Sequence, residues 1–143
     1  MAWAGGWDAK KGLDKVAVTG ELVCIGCNLK KLDGANAQCD LYAHHAIGFK
    51  TLDGTLWSIV ENAKGHDIVR SHTLLENKKA AMTGWLYPIA HYIEIDTINV
   101  EGVKPEQIQK AAWEEDQLLA KRLAARKVGE APTLAHSHDH EKK

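Results

Sequence analysis

An excess of charge of either sign is missing from this sequence: 18 lysines and arginines face 19 aspartates and glutamates over 143 residues, a formal net charge of -1. No global field exists to draw in a polyanion or an anionic lipid surface. Long apolar runs are missing too; none approaches the roughly 18 residues a membrane-spanning helix needs, which excludes a helical span. The sequence holds no glycine-rich phosphate loop, no HExxH and no Ser-His-Asp order, so nucleotide and hydrolytic chemistry lack their usual signatures and a non-catalytic protein is expected. No charged region followed by an apolar stretch opens the chain. Ala2-Trp3-Ala4 nonetheless has the small-x-small form of a leader cleavage site. It points to an exported, periplasmic protein beginning near Gly5 with its leader absent; a cytoplasmic chain is the alternative. Cysteine is scarce, and its count of 3 is odd, so complete internal pairing is impossible and at least one sulfur is a free thiol, shared with another chain or bound to a metal.

What is present is 45% hydrophobic and 26% charged, ordinary for a globular chain and long enough for one core. Residues 1–14, with Gly5, Gly6, Gly12 and the tryptophans Trp3 and Trp7, read as a flexible arm. From Lys15 the pattern alternates: Val16, Val18, Leu22 and Cys24 fall on one face, Thr19 and Glu21 on the other, as in a half-buried strand. Gly20 in its middle predicts a bulge or a strong bend. Asn28 to Gln38 reads as a polar loop. Ala46–Leu52 and Thr55–Val60 flank Asp53-Gly54, a two-residue hairpin signal. Ile68, Val69, His72 and Leu75 recur at helical spacing between Gly65 and Asn77, and two strands follow at Ala80–Tyr87 and Tyr92–Val100.

Three strands, a helix and two strands give the order of a five-stranded OB-type barrel with a helix between strands 3 and 4, an all-β core over residues 15–103. A five-stranded open sheet is the alternative. Residues 104–129 form a C-terminal amphipathic helix: Pro105 suits its first turn, Ile108, Ala112, Leu119 and Leu123 share a face with Trp113 and Leu118 nearby, and Gly129 and Pro132 end it. That stripe must cover the barrel or a partner, either a protein or a second copy of the chain. Residues 130–143 read as a polar, disordered tail.

Cys24-Ile25-Gly26-Cys27 carries the sharpest chemistry. Two thiolates three positions apart converge on one ion if the chain turns tightly, and Cys39, His44 and His45 follow within reach in sequence. Cys24, Cys27, Cys39 and one imidazole make a four-ligand shell for copper or zinc, with iron the weaker candidate because the spacing fits no iron–sulfur pattern. Neighbouring residues of an extended segment point to opposite faces, so His44 and His45 do not both serve one ion; His44 is preferred. A buried structural thiol at Cys24 and a Cys24/Cys27 redox dithiol are the competing readings, the second disfavoured because the motif shows no strand-to-helix context. Covalent haem is excluded by Asn28 after Cys27. His66, His72 and His91 read as surface residues, with His91 the one to watch as a ligand. His136, His138 and His140 form a tail that can chelate borderline metals. Trp57, Trp85, Tyr87 and Tyr92 offer a candidate binding face, on which bases would stack, but no basic groove accompanies them and nucleic acid is not the expected partner.

The run Thr19-Gly20-Glu21-Leu22-Val23-Cys24, then Cys39, then Ile47-Gly48-Phe49-Lys50-Thr51-Leu52-Asp53-Gly54-Thr55-Leu56-Trp57, resembles a group of small bacterial, often exported OB-fold domains. These place Cys and His residues in their first connection. Thr83-Gly84 and Tyr92-Ile93-Glu94-Ile95 match the group's closing strands, so the resemblance covers about residues 16–99. It implies the fold and an exported setting but no activity. The second Cys of Cys24-x2-Cys27, and His44-His45 where the group carries a further Cys, depart from its pattern, so only Cys24 and Cys39 carry over as ligands. The expectation is a non-catalytic protein holding one transition metal, for copper handling, electron transfer or a structural zinc; the alternatives are a protein- or single-strand-binding module and a thiol redox protein.

Overall fold

The alternating stretch that begins near Val16 becomes a long strand that closes a barrel on itself. The computed structural model describes residues 5–34 and 45–130. Its elements are β1 (Trp7–Asp8), β2 (Leu13–Cys24), α1 (Ile25–Asp33), β3 (Ile47–Thr51), β4 (Leu56–Ile59), α2 (His66–Arg70), α3 (His72–Leu75), β5 (Lys79–Tyr87), β6 (Tyr92–Val100) and α4 (Pro105–Ala124). The sheet runs β1-β2-β3-β4-β6-β5, and β5 returns to pair with β2, which closes a five-stranded barrel from β2 to β6. All pairings are antiparallel except β4 with β6.

β2 serves two neighbours in turn. Its residues 15–21 pair with β5 and its residues 20–24 with β3, so Gly20 faces both Thr51 and Ala80. A side chain at Gly20 would collide with the Lys50 carbonyl and the Phe49 ring, and its absence lets the strand coil through the changeover. The expected bend is therefore present. The hairpin differs in detail: Lys50 pairs with Leu56 and Thr51 N bonds Thr55 O at 3.0 Å, which leaves a three-residue loop rather than a two-residue one. Gly54 sits at φ 87, the left-handed position that ends such a loop. The Thr51 hydroxyl, at 2.6 Å, and the Thr55 amide, at 3.1 Å, donate to the Asp53 carboxylate and hold it below its ordinary range.

Leu22, Ile47, Phe49, Leu75 and Ile93 are fully buried and form the core with Val18, Ile59, Met82 and Ile95. Each large side chain removed from water contributes about 1.5–3 kcal/mol before chain entropy is subtracted. The single helix expected between the third and fourth barrel strands is split into α2 and α3 at Ser71. Ser71 is buried and its Oγ lies within hydrogen-bond distance of Asp67 O and of Ile108 O at 2.9 Å, so the break ties the connection to α4. α4 lies on α2 and α3 rather than on the outer sheet. Only Ile108 and Ala112 of its apolar stripe are buried; Trp113, Leu118 and Leu123 are exposed. Among the described residues no helix is long and apolar enough to cross a membrane.

Two other expectations change. Residues 25–33, read as a tight turn and polar loop, form α1, capped by Gly34 in the left-handed region. Of the stretch read as an arm, Trp7 and Asp8 pair with Asp14 and Leu13, and Lys11 reaches across to Glu94. The tail 131–143, with His136, His138 and His140, lies outside the described residues, as do Trp3, Cys39 and His44.

Candidate metal centre

The chain delivers two sulfurs and a carboxylate to one end of the barrel. β2 ends at Cys24, whose backbone is extended at φ -72, ψ 120, and α1 starts at the next residue. Cys24 is thus the N-cap of α1, and its Sγ accepts from the Cys27 amide at 3.5 Å. The buried Asn28 side chain donates to Cys24 O at 3.0 Å and fixes the first turn. The positive end of the helix favours negative charge on the cap sulfur, and Lys30 and Lys31 complement the other end. Cys24 is buried and Cys27 half-buried.

The third group comes from the far side of the sequence. Glu76 ends α3, and the chain beyond it joins β2: Asn77 N bonds Leu22 O at 2.7 Å and Leu22 N bonds Lys78 O at 2.7 Å. This brings a Glu76 carboxylate oxygen and the sulfurs of Cys24 and Cys27 all within 4.8 Å of one another. A tetrahedral ion with metal–sulfur bonds near 2.3 Å spaces its sulfurs by roughly 3.7 Å, so closing the shell asks for side-chain movements of about an ångström.

Both sulfurs expected from the Cys-x2-Cys spacing are therefore together, and Glu76 joins them unforeseen. No spacing in the sequence pointed to it, since the residue that brings it there is its neighbour Asn77, paired with Leu22 of β2. Of the expected imidazoles, His45 lies next to the site without entering the cluster: Ala46 O accepts from Ile25 N at 3.1 Å and Ile47 faces Cys24. His45 is buried, stacks on the His72 ring at 4.0 Å and pairs through Nε2 with Glu115 of α4. His72, read as a surface residue, is 1% exposed, its ring against that of His45 and its backbone amide donating to Glu115 of α4. His91 is elsewhere, in the β5–β6 turn at φ 57, with its ring 5.4 Å from that of Trp57.

The strand-to-helix context that the redox reading lacked is present, since Cys24 closes β2 and caps α1. The aromatic face is altered. Trp57 is in the core, its Nε1 donating to Thr51 Oγ1 at 3.3 Å. Trp85 is buried under the ammonium groups of Lys11, 4.8 Å from the ring centroid, and Lys15, 5.5 Å away. Tyr87 is half-buried and donates to Glu94 at 2.6 Å, which leaves Tyr92 as the exposed ring of the four. No continuous stacking platform results.

In comparisons with known proteins, no family model, no curated protein and no solved structure matches the chain.

Proposed function

We propose that this protein is a non-catalytic, zinc-binding barrel of the OB type in which Cys24, Cys27 and Glu76 hold the ion. The observation that carries the proposal is the meeting of two cysteine sulfurs and a carboxylate oxygen within 4.8 Å, from segments distant in sequence. Zinc accepts thiolate, imidazole and carboxylate together, whereas copper handling favours an all-soft shell; Glu76 therefore favours zinc over copper. Bound there, the ion ties the β2–α1 junction to the end of α3, which is a brace for that end of the barrel. The strand order and the parallel β4–β6 pair support the OB type and, with it, the resemblance to small bacterial domains of that fold. Export belongs to the proposal on the strength of Ala2-Trp3-Ala4.

The test is elemental mass spectrometry on reduced protein purified without chelator, followed by zinc titration against a chromophoric chelator. About one zinc per chain is expected, lost in Cys24→Ser/Cys27→Ser and held more weakly in Glu76→Gln. Copper at the same stoichiometry would replace the brace by metal handling or electron transfer, and the absence of tightly held metal would end the proposal.

The N-cap position of Cys24 favours a second reading, a dithiol that closes to a disulfide. The two thiols would lose two electrons and two protons to a small disulfide oxidant, which leaves as two thiols. A product two hydrogens lighter, with the bridge mapped to Cys24 and Cys27 and reopened by dithiothreitol, is the expected result for that reading; no such product at equilibrium would remove it.

A further inference from the structure

Glu115 stands at the junction between α4 and the metal residues, and it holds both histidines there. One carboxylate oxygen pairs with His45 Nε2 and the other accepts from the His72 backbone amide at 3.3 Å. Both rings are buried, 4% and 1% exposed, and they stack at 4.0 Å with 23° between their planes.

His72 belongs to the segment that supplies Glu76, and His45 to the one that pairs with the segment of Cys24 and Cys27. His72 lies one helical turn before Glu76, whose amide donates to His72 O at 3.1 Å. His45 leads into β3, where Ile47 faces Cys24, while Ala46 O accepts from Ile25 N at the start of α1. The positions of the two rings thus depend on the same backbone that an ion at Cys24, Cys27 and Glu76 would fix.

The rest of α4 is lightly held. Ile108 and Ala112 are its buried apolar residues, Ser71 reaches its first turn, and His66 and Arg70 meet Asp116 near the surface. A cleft lined by His72, Leu74, Ala111, Glu115 and Leu118 opens between α3 and α4 beside the Glu115 clamp. A helix with few anchors responds measurably to one of them.

From this contiguity we infer that metal loading and the docking of α4 are coupled, with Glu115 as the positioning residue that transmits between them; the inference rests on the metal reading above. Zinc that orders Glu76 and Cys24 also orders His72 and His45, which completes the socket for Glu115. By thermodynamic reciprocity, docking of Glu115 must raise zinc affinity by the same factor that zinc raises docking. Removing an outer carboxylate from such a shell typically weakens a site by 10- to 100-fold. Here about tenfold is expected, since Glu115 acts through two neighbours.

The experiment is hydrogen–deuterium exchange on the full chain with and without Zn²⁺, read in peptides spanning residues 108–119, together with zinc affinity by chelator competition. In the unsubstituted protein zinc should slow exchange in α4 several-fold. Glu115→Gln should still take up one zinc, about tenfold more weakly, and lose most of the zinc-dependent protection. Asp116→Asn, which removes a surface pair facing His66 and Arg70, should keep that protection and so shows that a loosened helix alone does not erase it. Zinc binding that leaves α4 exchange unchanged would overturn the inference while sparing the metal site, as would a Glu115→Gln chain with unaltered affinity and protection. Failure of the unsubstituted chain to bind zinc would remove both.

Discussion

Two surfaces of this barrel gather ionisable side chains and use them differently. On the outer face of β6, Lys11 pairs with Glu94, and Lys15 and Lys64 pair with Asp96, all in contact with solvent. The lysines hold the Asp96 carboxyl down at about 2. At the barrel end, Cys24, His45 and His72 are buried, with Cys27, Glu76 and Glu115 half-covered around them. Exposed pairs are screened and exchange readily with water, whereas polar groups withdrawn from water are costly unless their partners are specific. The first surface is a solvated lattice that shields Trp85; the second is where a ligand would repay the burial.

The largest effect that can break this contrast is metal-dependent stability. Zinc at about a thousand times its dissociation constant adds roughly 4 kcal/mol, a rise in melting temperature on the order of 10 °C for a domain of this size. Cys24→Ser/Cys27→Ser should show none of it in paired melts with and without zinc. An equal rise in both proteins would place the bound metal elsewhere.

Next in size is Ser71→Ala. It removes the buried hydroxyl between Asp67 O and Ile108 O and should cost about 1–3 kcal/mol, seen as a lower midpoint in urea and faster amide exchange near Ile108. A neutral result would mean that water replaces the hydroxyl and that the α2–α3 break is not what anchors α4.

Lys11→Ala on the solvated face should fall near the resolution of a melting experiment and shrink further in high salt. A loss comparable to that of Ser71→Ala would erase the distinction between the two surfaces.

The smallest effect concerns pH. His66, raised above its ordinary 6.5 chiefly by its hydrogen bond to Asp116, also faces Glu61 and Arg70. A raised histidine contributes stability that is complete below the unfolded value near 6.5 and is lost as pH rises through the higher folded value. Its half-exposed side chain keeps the gain small. Urea midpoints from pH 5.5 to 8.5 should therefore decline slightly more in the unsubstituted chain than in Asp116→Asn.

Much of the barrel was legible because burial on one face writes alternation into a strand: Val18, Leu22 and Cys24 share parity and are all buried. The same rule placed Trp85 on the outer face. It also held a warning about Trp57, which shares parity with Ile59 and so belongs inside. α1 escaped notice because its only buried residues are Gly26 and Asn28, which write no apolar stripe. Cys24 and Cys27 were legible as neighbours. Glu76 was not, because only the pairing of residues 77 and 78 with Leu22 carries it back to them. The role of α4 was half legible: its stripe demanded a cover, but nothing in the spacing says that Glu115, a charged residue, reaches His45 and the His72 amide beside the site.

The most direct test of the centre is X-ray absorption at the zinc edge of the loaded protein. Two sulfurs near 2.3 Å with oxygen or nitrogen near 2.0–2.2 Å are expected, and Glu76→Gln should alter the light-atom shell while both sulfurs stay. A shell of oxygen and nitrogen alone would contradict a centre built on Cys24 and Cys27.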